Sequence, residues 1–273
     1  MRKTILYIII SLLILPGLTS CNKWLDVQPQ NSVSEDNLFN SKEGFRNALN
    51  GIYLSLVEPS LYGAELTYAT MSALSYNYRI TSGTYLTTMQ FDYEHSQVRP
   101  RLDKFWEGLY NAIANCNNLL VNIENKNAED FIDGLQEKNL IKGEALALRG
   151  FLHFELLRLY APSIAVDAQG RYIPYYTTYP SHGETKISSM EVLNRAAEDL
   201  KLGRDLVAPY DTITAGYSAF ASPEARLSNN SNGAFYSRRG TRLNYFAITG
   251  ILARLYLYAN DKTNALKYAQ EIV

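Results

Sequence analysis

The 273 residues suffice for one or two domains with a sizeable core, and 26 Lys and Arg against 27 Asp and Glu leave no electrostatic reason to expect nucleic acid. Cysteine is scarce, only Cys21 and Cys116, while tyrosine stands out at 21 against 10 phenylalanines. A tyrosine offers a flat apolar face with a polar tip, which suits both packed helices and wet binding surfaces; helix packing should account for most of them.

Residues 1–20 read as an export signal. Arg2 and Lys3 supply the positive start, and the nearly continuous apolar run 5–15 is too short to span a bilayer as a mature helix. Without this segment the charged residues number 24 basic against 27 acidic. Leu18-Thr19-Ser20-Cys21 resembles a bacterial lipobox, which implies that Cys21 becomes the acylated (palmitate-bearing) first residue of the mature chain. The other reading is an ordinary signal peptide that happens to meet a cysteine. Acyl chains there anchor a soluble body to a membrane without spanning it. Cys116 then has no partner, so no disulfide is expected, and its place on a helix makes it a core thiol.

Beyond the signal, residues 21–273 read as one helical body. Trp24 and Leu25 pack back on it, and Pro29 suits an extended tether. Ser41 is a good N-cap for a helix to about Val57, with Phe45, Ala48, Leu49, Ile52, Tyr53 and Leu56 buried. Periodicity fails over residues 60–101, where seven aromatic residues are scattered among Ser, Thr, Gly and Asn. Loops of such length are more often functional than filler. Within it, Tyr76-Asn77-Tyr78-Arg79 sets two aromatic faces, an amide and a guanidinium close together, the groups that stack on sugar C–H faces and bond hydroxyls. An aromatic loop folded flat over the helices is the competing reading.

Helix resumes near Arg101, with Leu102, Phe105, Trp106, Leu109, Ile113, Cys116, Leu120 and Ile123 in its stripe, and breaks at 125–128. The long central helix follows and stops near Tyr160 or Ala161, because Pro162 cannot continue it. Two of its sides are apolar: Ile141, Ala145, Leu148, Leu152, Leu156 and Leu159 on one, Leu140, Ala147, Phe151 and Phe154 on the other. Lys142, Arg149 and His153 form a narrow polar strip. Residues 163–185 turn extended, with period-two character at 171–179. Ser188-x-x-Glu191 is a capping box opening a helix to about Leu206, with Leu193, Ala196, Ala197 and Leu200 inward. Residues 208–240 form a second polar loop, most flexible at 228–233. A helix from Thr241 or Arg242 to Tyr258 turns Leu243, Ala247, Ile251, Leu255 and Tyr258 inward; after a turn at Asn260-Asp261, another starts at Thr263 with Ala265, Leu266, Ala269 and Ile272 apolar.

Several motifs share one source. Glu144-Ala145, Leu148-Arg149-Gly150 and Phe151 to Tyr160 resemble the "EA-x-x-LRA-aromatic-x-x-F-x-L-x-x-x-Y-G" helix of the SusD/RagB family. Ala48, Gly51, Tyr53 and Leu56 resemble its "A-x-x-G-x-Y-x-x-L" helix. Trp106, Tyr110, Ile113 and Asn117 resemble its "W-x-x-x-Y-x-x-I-x-x-x-N" pattern, Glu198-Asp199-Leu200 its "DL" helix, and residues 21–29 its mature start. Gly150 departs from the usual Ala, costing roughly 1 kcal/mol unless a neighbouring helix uses the space. Ala161-Pro162 replaces the usual Gly followed by Val-Pro-Leu.

The resemblance implies a mainly α, tetratricopeptide-like helical array with long irregular loops. The strict 34-residue consensus is not matched, so the repeat architecture rests on the resemblance. It also implies a surface-exposed, lipid-anchored outer-membrane protein that binds an oligo- or polysaccharide, or another nutrient, for a TonB-dependent (SusC-like) transporter. Ligand contact is implied for the 60–101 region as a whole; Tyr76, Asn77, Tyr78 and Arg79 are candidates on their own chemistry, not by alignment to the family. Val273 falls inside a helical pattern, whereas family members continue for a comparable length, so a fragment and a shortened relative are both open.

No cofactor and no metal are expected: His95, His153 and His182 are far apart, and no phosphate loop or nucleophile elbow occurs. Glu144 and Glu155 lie roughly 16 Å apart along one helix, too far for a glycosidase pair, and Glu155 with Arg158 reads as a salt bridge. The expectation is therefore a protein that is not an enzyme. A lipid-anchored protein-interaction scaffold without glycan binding, and a glycan-active enzyme with paired carboxyls in a cleft, are the rivals.

Overall fold

A computed structural model describes residues 35–228 and 233–273. The segment 1–20 read above as an export signal, Cys21, Trp24, Leu25 and Pro29 lie outside these residues, as do 229–232 of the stretch expected to be most flexible. Among the described residues, six helices carry the fold: α1 (Gly44–Leu56), α2 (Arg99–Glu124), α3 (Gly134–Tyr160), α4 (Ser189–Ala208), α5 (Tyr245–Tyr258) and α6 (Lys262–Gln270). Each packs chiefly on its neighbours in sequence, α1 on α2 through to α5 on α6. This is the stacked-pair architecture of a tetratricopeptide-like array. Leu38–Val273 form one compact unit, and no described helix is long and apolar enough to cross a membrane.

Both apolar sides of α3 are covered. Ile141, Ala145, Leu148, Leu152 and Leu156 are buried, as are Leu140, Ala147 and Phe154, with Phe151 and Leu159 partly buried against them. Its polar strip is not a solvated face. His153 is fully buried, and Arg149 makes a two-pronged bond to Asp199 of α4, at 2.6 Å from both Nε and Nη2. Arg149 also donates to Asn117 Oδ1 of α2 at 3.1 Å, so one guanidinium ties three helices. Cys116 is a buried core thiol, pushed up to about 12 by burial.

Gly150 shows why α3 and α4 sit so close. A Cβ there would lie 2.7 Å from the carbonyl oxygen of Ala196, and one at Gly203 would lie 2.5 Å from that of Gly143. The neighbouring helix does use the space. Gly150→Ala should therefore destabilise by about 1–2 kcal/mol, since backbone overpacking outweighs the roughly 1 kcal/mol of helix propensity gained. Urea unfolding checks this; a midpoint above wild type would mean that the crossing is looser than drawn.

Several expected boundaries and faces move. α1 opens at Gly44, because the Ser41 hydroxyl is used in the preceding turn, donating to the Leu38 carbonyl at 3.2 Å. α4 is capped by Ser188, which accepts the Glu191 N–H at 3.2 Å, while the Glu191 carboxylate takes Arg195 at 2.8 Å. α5 begins after Asn244, and Ile248, Thr249, Leu252 and Leu255 are its buried face. The helix is apolar nearly all round and contacts both α4 and α6, so periodicity alone misplaced its inward stripe. In α6, Tyr268 is buried, stacked on Tyr256 at 5.5 Å, and Leu266 is exposed instead.

Residues 171–177 run outside any helix or strand and the chain bends at 178–179; one isolated bridge joins Arg171 to Ser188. Helix side chains meet the backbone instead. Tyr110 donates to the Pro174 carbonyl at 3.1 Å, Asn117 to the Tyr176 carbonyl at 3.1 Å, and the Tyr176 N–H donates to His153 Nε2 at 3.0 Å. The three adjacent residues Ile173, Pro174 and Tyr175 are buried together, which breaks the expected alternation.

The polar loop 208–240 hides charge. Asp211 and Arg239 are buried, paired at 3.0 and 2.9 Å, and Arg239 Nη1 also reaches Glu144 of α3. Glu144 further accepts from the Tyr53 hydroxyl of α1 at 2.7 Å. About three turns further along the same face of α3, Glu155 pairs with Arg158 at 2.9 Å and also meets Arg254 of α5.

Candidate functional site

Residues 60–98 hold two short helices, Thr70–Leu74 and Thr84–Met89, in the stretch where helical periodicity fails. Each is followed by an aromatic residue in the left-handed backbone region, Tyr76 at φ 56° and Phe91 at φ 59°. Bulky residues adopt that region at a cost of order 1–3 kcal/mol, and such strain gathers where geometry matters. Here it turns the two rings toward each other. Their centroids lie 6.0 Å apart, and Phe91 continues to Tyr93 at 6.3 Å, edge to face. The Tyr76 hydroxyl donates to the Met89 carbonyl at 2.9 Å, which pins the first ring across both segments.

All three rings stay open, with exposures of 58% for Tyr76, 49% for Phe91 and 43% for Tyr93. The row runs to a groove of about 810 Å³ that Tyr93 shares with Leu102, Phe105 and Trp106 of α2, Tyr160 of α3 and Arg158. The Trp106 ring stands edge-on to Tyr160 at 5.0 Å and to Tyr110 at 4.8 Å. On the rim, Arg99 pairs with Glu94 at 2.8 Å and Asp103 at 3.2 Å, exposed pairs of small energetic weight. Among the described residues, no group of three or more His, Cys, Asp and Glu side chains is placed to hold a metal. The surface offers ring faces, hydroxyls and amide and guanidinium donors, chemistry for stacking and hydrogen bonding.

Residues 23–257 match the profile of a SusD-like family described as starch-binding and associating with the outer membrane. The chain belongs to the SusD-like family. Its fold is shared with a SusD-like carbohydrate binding protein from Bacteroides vulgatus, 24% identical with a TM-score of 0.63, over 85% of this chain and 44% of that one. A SusD superfamily protein from Bacteroides thetaiotaomicron is 21% identical with a TM-score of 0.59, over 85% and 46%. A SusD homolog from the same organism is 17% identical with a TM-score of 0.61, over 89% and 42%. No curated protein matches. The SusD-like chain thus spans less than half the length of these three structures, and at such identities the likeness concerns the fold.

Of the four candidates read from the sequence, Tyr76, Asn77, Tyr78 and Arg79 are all exposed in this SusD-like chain. The structure joins Tyr76 to Phe91 and Tyr93, residues 15 and 17 positions later, rather than to Tyr78. An extended 76–79 segment would have put Tyr76 and Tyr78 on one side, but the left-handed turn at Tyr76 breaks it. Trp106, read from the sequence as part of a buried stripe, is only partly buried and lines the groove. Spacing along the chain carries no signal for either pairing.

Proposed function

We propose that this SusD-like chain binds an oligo- or polysaccharide without chemical turnover, on the ring row Tyr76–Phe91–Tyr93 and the adjoining groove. Tyr78, Asn77 and Arg79 supply further stacking and hydrogen bonds at its margin. In this reading Cys21 carries the lipid anchor, the body sits at the outer-membrane surface, and a TonB-dependent transporter receives the ligand. The single observation that carries it is a row of half-exposed aromatic rings, two of them in left-handed backbone, beside a cleft with an aromatic floor. Sugar C–H faces stack on such rings, and a loop folded flat over the helices, as a pure scaffold would have, leaves none open. Membership in a family described as starch-binding supports the same class of ligand.

Calorimetry and affinity electrophoresis against soluble starch, pullulan, xylan and mixed-linkage β-glucan test the reading. Tyr76→Ala/Phe91→Ala should weaken the best ligand at least about tenfold, equivalent to ~1.4 kcal/mol, with an unchanged thermal midpoint. Tyr78→Ala alone should weaken it less. Affinity within twofold of wild type for the double variant would place the ligand elsewhere.

A further inference from the structure

The two short helices that carry the ring row have little core of their own, yet their relative position decides whether Tyr76 and Phe91 meet. One side chain spans them. Arg101, in the first turns of α2, donates from Nη1 to Thr88 Oγ1 at 3.1 Å and to Thr70 Oγ1 at 3.5 Å, and from Nη2 to Thr84 Oγ1 at 3.4 Å. Its Nε lies 3.5 Å from Glu65 Oε1, and its guanidinium sits 4.5 Å over the Tyr85 ring. Glu65 closes the circle, accepting from the Tyr85 hydroxyl at 2.9 Å and from the Thr70 hydroxyl at 2.5 Å. Thr70 and Thr88 are fully buried, so their bonds to Arg101 are not shared with bulk water.

We propose that Arg101 is the positioning residue of the aromatic row: its planar fork bonds one threonine ahead of Tyr76 and two ahead of Phe91, and so sets the ring spacing that a saccharide meets. This rests on the glycan-binding reading above. Arg101 itself faces inward, in a side chain only 15% exposed, and is not among the groups expected to touch the ligand. A lysine there keeps the charge but brings a single point donor, which cannot reproduce a fork spread over three hydroxyls and stacked on a ring.

The experiment combines hydrogen exchange with a double-mutant cycle, using soluble starch as the probe. Arg101→Ala and Arg101→Lys should each speed amide exchange at least tenfold across residues 72–93, leaving α3 protected as in wild type. Starch affinity should fall at least fivefold in both variants. Added to Tyr76→Ala/Phe91→Ala, Arg101→Ala should weaken binding no further, because it acts through those rings. Unchanged exchange in 72–93, unchanged affinity in a wild-type-like fold, or a fully additive loss in the combined variant would each overturn the proposal. If wild-type protein binds no starch, the ligand panel decides: no ligand at all sinks the binding reading together with this one, whereas a bound ligand unaffected by Arg101→Lys sinks this one alone.

Discussion

Arg239→Ala is expected to lower the stability of the chain by about 3–5 kcal/mol. The guanidinium is buried between two carboxylates, Asp211 and Glu144, neither of which has any exposed surface. Asp211 also accepts the Tyr245 N–H at 2.9 Å, and Glu144 the Tyr53 hydroxyl at 2.7 Å, so both are locked in place. Truncation would strip Asp211 of its paired cation and leave it facing Glu144 in a dry site, with Arg242 Nη1, 3.5 Å from Glu144, as the counter-charge that remains. The cost is that of orphaned charge, not the net worth of the pair, which desolvation largely offsets. Arg239→Lys should recover only part of the loss, since one ammonium cannot bond Asp211 twice and reach Glu144 as well. Urea denaturation with matched m-values is the measurement; a loss under about 1 kcal/mol for the alanine variant would mean that water already reaches this cluster.

His153 should make the chain sensitive to acid. A backbone N–H can only donate, so the bond from Tyr176 N–H fixes Nε2 as an acceptor and Nδ1 as the protonated nitrogen, donating to the Arg149 carbonyl at 2.9 Å. Burial, opposed by that Arg149 carbonyl bond and assisted by the Arg149 charge, holds the imidazole far below the usual histidine range, down to about 3. The unfolded chain titrates near 6.5. Between those two values the unfolded state binds a proton that the folded state refuses, so stability rises with pH across the window. The contribution is complete above about pH 6.5 and lost as pH falls toward 3, on the order of 5 kcal/mol in all. His153→Gln should be roughly 1–2 kcal/mol weaker at pH 7 through lost hydrogen bonding, yet its stability should fall less steeply from pH 6 to 4. Carboxylates titrate in both proteins, so the difference isolates the histidine. Parallel pH profiles would show that the ring is not held neutral.

Most of the polar residues that carry the family resemblance turn out to be internal wiring; Glu198, which is exposed, is an exception. Tyr53 and Glu144 meet each other, and Arg149 bonds both Asn117 and Asp199. None of them lies in the ring row. The apolar stripes of α2, α3 and α4 were legible because apolar residues recur at helical spacing over several turns, on one side of α2 and α4 and on two sides of α3. The face of α5 was not, because a helix apolar on every side gives periodicity nothing to choose between. The pairing of Asp211 with Arg239 left no local trace: 28 positions separate them within a stretch rich in Ser, Asn and Gly. The candidate site was legible as a region, from the density of aromatic residues in 60–101, but its geometry depends on two left-handed turns that no residue type announces.

The stretch at 171–179 bears on a different hazard. Six of its nine residues are tyrosine, isoleucine or proline, in backbone outside any strand, and unpaired backbone of that kind is what a second chain adds to by edge pairing. Here its carbonyls at Pro174 and Tyr176 and its N–H at Tyr176 are already taken by Tyr110, Asn117 and His153, and Pro174 has no N–H to give. Three helix side chains thereby occupy the polar backbone groups that a neighbouring strand would otherwise pair with, and the stretch is closed to edge addition without being built into a sheet.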